Sequence, residues 1–410
     1  MNINALTTTF NRNIKSICTT LALCTSLGAY GNSLQDPISS VTFTDSALAA
    51  CVTANATDRS WQTIGEVTEL RCNNKNISDL TGLGAFTNMH TLAAKHNQIS
   101  DLTPIAGLTK MEYLYLSYNQ ITSMVALQNQ ENLVYVYLDH NQLTNASQGV
   151  TDAYGLKLLD LGFNQLTSFP AVPPADIRTL AINDNQISDI FEIFDVSSVE
   201  NLYMQNNQIT SVFDLVFLNY IRKLDVSNNQ LNDLTGIAHF NQMDHLNISG
   251  NNISDISQLN NLTGLRYLDA SHNKVSNISV LSNKSSLQHL NLSFNNIVTL
   301  QGMANKPSLR FLYLNHNLIN DTSAMTGLGQ VEEVYLQSNN ITDISTFNGL
   351  TSTRILDLAR NNVTDISSLL GLNQFTMLNL FHNNGVSCQQ YNTFQQNNLV
   401  PYALSYMFCI

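Results

Sequence analysis

From about residue 67 onward the apolar positions of this chain spell one phrase, repeated with little variation. Leu114-Tyr-Leu116-Ser-Tyr-Asn119-Gln-Ile121 and Leu290-Asn-Leu292-Ser-Phe-Asn295-Asn-Ile297 are two copies of L-x-L-x-x-N-x-[I/L/V]. Apolar and polar residues alternate around the paired leucines with period two, which predicts a half-buried strand. The asparagines that close the phrase stand in register: Asn97, Asn119, Asn141, Asn164, Asn185, Asn207, Asn229, Asn251, Asn273, Asn295, Asn317, Asn339, Asn361 and Asn383. Eleven of the thirteen spacings are 22 residues; the other two, 23 and 21, cancel. Lys75 lies 22 residues before Asn97, where a degenerate first copy would place it.

One such strand buries almost nothing alone. Copies stacked about 4.8 Å apart form a parallel sheet whose inward leucines share a continuous core. Each asparagine then lies inside the turn after its strand, where its amide can donate to and accept from backbone groups the turn leaves unpaired. The return half of the repeat often opens Ile/Val-Ser/Thr-Asp-Leu/Ile, with Asp79, Asp101, Asp189, Asp255, Asp343 and Asp365. That pattern suits the start of a short helical turn, so these acids read as structural. What remains, such as Leu102-Thr-Pro-Ile105-Ala-Gly-Leu108, is too short for a long helix and predicts 3-10-like turns. The phrase resembles the leucine-rich-repeat signature. The expected fold is an α/β solenoid: an arc with a concave parallel β-sheet, short helical or 3-10 turns on its convex side, and a cap at each end.

The chain divides accordingly into a leader (1–31), an N-terminal helical cap (42–66), about fifteen repeats (67–385) and a C-terminal cap (386–410). Thr44-Asp45 followed by Leu48, Cys51 and Val52 reads as a capping helix; Cys388, Tyr391, Phe394, Leu399 and Cys409 read as its counterpart. Residues 143–180 break the consensus, with altered spacing, no Ser/Thr-Asp start, and Pro170, Pro173 and Pro174. They are a variant repeat, with a local kink or recognition loop as the functional alternative.

The leader has a small positive region at Arg12 and Lys15, an apolar run from Ile17 to Leu27, and Ala29-Tyr30-Gly31 as a cleavage site. Its removal would leave Cys51, Cys72, Cys388 and Cys409, one pair near each end, each pair 21 residues apart. Three pairings are open, and the two local bonds avoid tying the ends together. Disulfides and export agree, since both belong to oxidising compartments. The formal net charge is −12, and losing Arg12 and Lys15 from 18 bases against 30 acids gives 16 − 30 = −14. Without a basic stripe, neither nucleic acid nor a polybasic membrane contact is expected. No cofactor or metal is expected, and no membrane span.

The 22-residue consensus, helical cap and leader together resemble the bacterial internalin-type leucine-rich-repeat proteins. The resemblance covers roughly residues 42–385. It implies a surface or secreted protein that binds a protein ligand on the concave sheet. The two cystine-like caps depart from the usual arrangement. No immunoglobulin-like module, wall-sorting signal or C-terminal membrane segment is seen, so covalent anchoring is not expected. The repeats are also similar to those of the phosphatase-regulatory leucine-rich proteins, an intracellular alternative that the leader and paired cysteines oppose.

Candidate binding residues come from the strand positions that point away from the leucines. Between the leucines stand Tyr115, Tyr137, Asp160, Tyr203, Asp225, Asn247, Asp269, Tyr313 and Tyr335, among others; before them stand Tyr113, Tyr135, Lys223, His245, Tyr267, His289 and Phe311. Two aromatic patches are expected, with Tyr203 between them: Tyr113, Tyr115, Tyr118, Tyr135, Tyr137 and Phe163, then Tyr267, Phe294, Phe311, Tyr313 and Tyr335. Exposed tyrosines recur at binding hot spots, although tyrosine also favours strands for its own sake. His96, His140, His272, His316 and His382 read as solvated turn residues; pairs two repeats apart, about 10 Å, cannot share a metal ion. The Gln98-to-Gln230 run reads as repeat duplication, with a glycan-binding polar ladder as the alternative. The Asn-x-Ser/Thr matches, such as Asn252-Ile-Ser254, follow from the consensus. No G-x-S-x-G, H-E-x-x-H or P-loop motif occurs; Asp225, His245 and Asp269 are the one place a catalytic set could assemble. The expected function is macromolecular binding, of a protein first and a glycan or envelope polysaccharide second, by a protein that is not an enzyme.

Overall fold

The computed structural model describes residues 33–173, 176–397 and 402–404. The leader, Pro174, Leu399 and Cys409 lie outside the described residues.

Among the described residues, sixteen strands of three residues each, β1 (Glu69–Arg71) to β16 (Tyr402–Leu404), pair side by side in chain order in one parallel sheet. The register joins equivalent positions of successive repeats, as in Tyr113↔Tyr135 and Tyr115↔Tyr137. Leu92, Leu114, Val136, Leu159 and their successors are buried on one side of it and form a single core along the whole solenoid. The chain returns on the other side of that core through short 3-10 helices, such as Ser257–Asn261 and Ser345–Gly349. This open arrangement is the leucine-rich-repeat arc.

The ladder asparagines hold successive coils together. Asn207 Nδ2 donates to the carbonyls of Ile182 (2.9 Å), Met204 (3.1 Å) and Gln205 (3.3 Å), and its Oδ1 accepts from Ile187 N (2.9 Å). One buried amide thus satisfies four backbone groups drawn from its own coil and the one before. The consensus aspartates act as expected but one position early: Asp255 Oδ1 accepts from Ser257 N (2.8 Å), the first residue of the 3-10 helix, and Asp343 does the same for Ser345 (2.8 Å).

The 143–180 irregularity leaves the sheet register unbroken: Tyr135 pairs with Leu158 and Leu158 with Thr179. The extra residue and the missing one are absorbed in the return segments, where Ala146, Val150 and Ala153 fill the core.

At the N-terminal end, α1 (Ser46–Arg59) buries Leu48, Cys51 and Val52 against the first coil. Asp45 caps it with Oδ1, accepting from Ala47 N and Leu48 N. Its Oδ2 accepts from Ser78 N (2.7 Å), so one carboxylate ties the helix to the first repeat. Cys51 and Cys72 are joined by a disulfide, Cα–Cα 5.7 Å. At the other end, α2 (Cys388–Asn397) buries Phe394 near Phe375, with ring centroids 6.4 Å apart. Cys388 is disulfide-bonded.

Two lysines occupy core positions where other coils hold leucine or phenylalanine, as at Leu262 and Phe240. Lys284 and Lys306 are both fully buried. Lys284 Nζ reaches the Asn260 carbonyl (2.9 Å) and Lys306 Nζ the Ala304 carbonyl (3.0 Å). Burial, with Lys306 nearby, pulls the Lys284 ammonium down to about 8.

Candidate binding face

Strand residues that alternate with the buried leucines share the opposite side of the sheet, where parallel pairing stacks them in files about 4.8 Å apart. Three files carry rings. In the file before the paired leucines, Tyr113 and Tyr135 lie 5.5 Å apart, tilted. Further along, Tyr267 is sandwiched by His245 (4.0 Å) and His289 (4.5 Å), and Phe311 follows at 6.0 Å. In the file between the leucines, Tyr115 stacks on Tyr137 (5.3 Å) and Tyr313 on Tyr335 (5.0 Å). The Lys95 ammonium lies over both rings of the first pair, at 5.3 and 5.0 Å. Tyr203 stands apart, between Ala181 and Asp225.

The third file was not expected. Tyr118, Phe163 and Phe294 are not on the strands but in the turn, directly before the ladder asparagine. They interleave with histidines in unbroken stacks. His96, Tyr118, His140 and Phe163 follow at 4.3, 3.9 and 4.0 Å; His272, Phe294 and His316 follow at 4.2 and 4.2 Å. These histidines are turn residues as expected, with His96, His272 and His316 exposed, and each of the four also fills one step of an aromatic stack. Each expected patch divides in turn into sheet files and a turn file. The signal was in the sequence, because the position before the ladder asparagine reads His, Tyr, His, Phe in four consecutive repeats.

Every residue of the turn file has positive φ, including His96 (55°), Tyr118 (58°), Phe163 (53°) and Phe294 (56°). Asparagine, aspartate and glycine tolerate this conformation, and fill it in the centre at Asp184, Asn206, Asn228 and Gly250. A tyrosine or phenylalanine there is an outlier.

Between the two ring regions the face is polar and internally bonded. Asn247 Nδ2 donates to Asp225 (3.0 Å) and Asn291 Nδ2 to Asp269 (2.9 Å). The second oxygen of each aspartate accepts from the backbone and hydroxyl of Ser227 or Ser271. Both carboxylates are held by these bonds, and the His245 ring stacks on Tyr267. Burial lowers the pKa of His245 and His289, favouring neutral imidazoles. Beside Tyr137, burial pushes the Asp160 carboxyl up to about 6, against a hydrogen bond from Gly162 N. On the strand border, Arg178 pairs with Glu200 (2.5 Å), Arg222 with Asp244 (3.0 Å), and Glu332 with both Arg310 and Arg354. Gln98, Gln120 and the rest of the glutamine run are exposed. Among the described residues, no cluster of three or more His, Cys, Asp or Glu could hold a metal ion, and no helix is long and apolar enough to cross a membrane.

The model for leucine rich repeat matches residues 322–384, and that for leucine rich repeats in two copies matches 87–129, 242–283 and 285–327. Together with the sheet and its asparagine ladder, these matches make the chain a leucine-rich-repeat protein. Its build is of the internalin type. An internalin (InlF) from Listeria monocytogenes is 26% identical with TM-score 0.71, the match covering 83% of this chain and 96% of that one. The functional domain of InlJ from the same organism is 22% identical with TM-score 0.73, covering 84% and 76%. A leucine-rich-repeat protein of Leptospira interrogans is 20% identical with TM-score 0.71, covering 86% and 97%. No curated protein matches the chain.

Proposed function

We propose that this is an exported protein that binds a protein partner on its concave sheet, through the two ring regions and the polar strip between them. The observation that carries this reading is the turn file. Bulky rings are held there at positive φ, a conformation that costs energy and is retained where a surface has a use for it. Asparagine or glycine would build the same turn at lower cost, as the central coils do.

The way the rings pack favours a protein over a glycan. Stacked face to face, they turn their π-faces to one another and their edges, Tyr hydroxyls and His nitrogens outward. A sugar that stacks on an aromatic face would find that face already covered. A protein surface can use an apolar edge with a polar tip, the chemistry that makes tyrosine frequent at hot spots. The stacked histidines and hydrogen-bonded carboxylates favour binding over catalysis. The paired Cys51 and Cys72 support an oxidising compartment.

The test uses chain 32–410 as bait in a surface-protein pull-down beside a glycan array, then measures the captured partner against Tyr115→Ala/Tyr137→Ala. Affinity should fall about tenfold or more, with the melting temperature unchanged, because both rings lie outside the leucine core. Equal affinity would reject the first ring region as the site, and capture on the array alone would favour the glycan.

A further inference from the structure

The convex surface is polar along most of its length. The residue that opens each return turn is usually serine or threonine, as at Thr103, Thr235, Ser257 and Ser345. Two successive coils carry Phe191 and Phe213 there instead. Both keep the consensus backbone: Asp189 Oδ1 accepts from Phe191 N (2.9 Å), and Ser211 Oγ from Phe213 N (3.1 Å). The two 3-10 helices, Phe191–Val196 and Phe213–Phe217, stand one coil apart and add Phe194, Val216 and Phe217, with Tyr220 just beyond. These six side chains are between 42% and 61% exposed. Ile193, Val196, Leu215 and Leu218 already fill the core beneath them. At ~200 Å² per ring the six leave roughly 600 Å² of mostly apolar surface open, at the top of the range for the largest patch on a monomer.

The two 3-10 helices carry acids and no lysine or arginine: Asp189 and Glu192 stand on the first turn and Asp214 on the second, while the nearest arginines in sequence, Arg178 and Arg222, lie on the strand border, paired with Glu200 and Asp244. Asp189 and Glu192 are exposed on the same turn as Phe191.

We infer that this convex patch docks a cationic amphipathic segment of a partner protein, its apolar face on the phenylalanines and its lysines or arginines against the acidic rim. A second copy of this chain fits poorly. It would bring the same acids against themselves, at a net charge of −12 per chain, and the area falls short of the ~800 Å² per partner of a standard interface. An anionic membrane is repelled by the same charge. The site shares no residue with the concave face, so it stands whether or not that face binds.

The full chain would be titrated with a labelled Leu/Lys amphipathic helix at low and high salt. The comparison is a variant carrying Phe191→Ser, Phe194→Ala, Phe213→Ser and Phe217→Asn, residues found at the equivalent positions of other coils. Its charge is unaltered, and its melting temperature should hold. Binding should weaken about tenfold or more. Glu192→Gln/Asp214→Asn should flatten the salt dependence, and Tyr115→Ala/Tyr137→Ala should change nothing. The inference fails if the phenylalanine variant binds equally well, or if a Leu/Glu helix binds as tightly. It also fails if the concave variant abolishes binding. Retention of the wild type by phosphatidylglycerol vesicles, or a wild-type dimer that the phenylalanine variant dissolves, would overturn it in favour of those occupants.

Discussion

The position that precedes each ladder asparagine and the asparagine itself obey opposite rules. The asparagine is fixed because its amide serves two coils at once, its NH2 donating to several carbonyls while its oxygen accepts from a backbone N–H. Asn207→Ala would orphan the buried Ile187 N–H, while the carbonyls of Ile182, Met204 and Gln205 keep donors in Asn185, Asn229 and Asp184 N. We expect a loss of about 1–3 kcal/mol, the range for one unsatisfied buried group, in denaturant unfolding; no change would mean that water replaces the amide. The neighbouring position is fixed in backbone but varied in chemistry, so asparagine, glycine, histidine and phenylalanine all occur, the bulky ones at a cost. Sequence periodicity made the first rule plain. It hid the second, because a varied file leaves no consensus, and its aromatic runs show only when that one position is read down the coils.

Among elements, the return turns hold most of what the sequence kept hidden. Their aspartates were legible from spacing. Lys284 was not, since a lysine in a repeat reads as surface until the turn that folds over it is known. Its ammonium is held by the Asn260 carbonyl, which Asn283 Nδ2 also supplies (3.0 Å), so Lys284→Leu leaves no carbonyl stranded. At pH 7 that substitution should stabilise the protein by about 1 kcal/mol, an apolar residue replacing a buried charge. The pH dependence follows from the lowered value. Between about 8 and the ordinary lysine value of 10.5, the unfolded chain holds more protons than the folded one, so wild-type stability rises with pH there. The advantage of Lys284→Leu should therefore shrink across that window in urea titrations at stepped pH. A constant advantage would show that the amine keeps its proton.

At the scale of the molecule, coils touch only their neighbours, so stability is a sum of local terms and the ends are the weakest places. The Cys51–Cys72 bond closes a loop at one end, worth roughly 3 kcal/mol for its length. Reduction should speed hydrogen exchange in Ser46–Arg59 and Glu69–Arg71 while the coils around Asn229 stay protected; loosening of the centre first would contradict this. The same one-neighbour logic turns coil number into a ruler. Tyr137 and Tyr313 lie eight strands apart in the sheet order, roughly 38 Å at ~4.8 Å per strand. Excising one 22-residue unit between them would shorten that gauge by a single notch while leaving both ring regions whole, so the reach between two contacts on a partner is set by arithmetic in the gene. The 23- and 21-residue units obey the same ruler, since each still adds one strand to the stack.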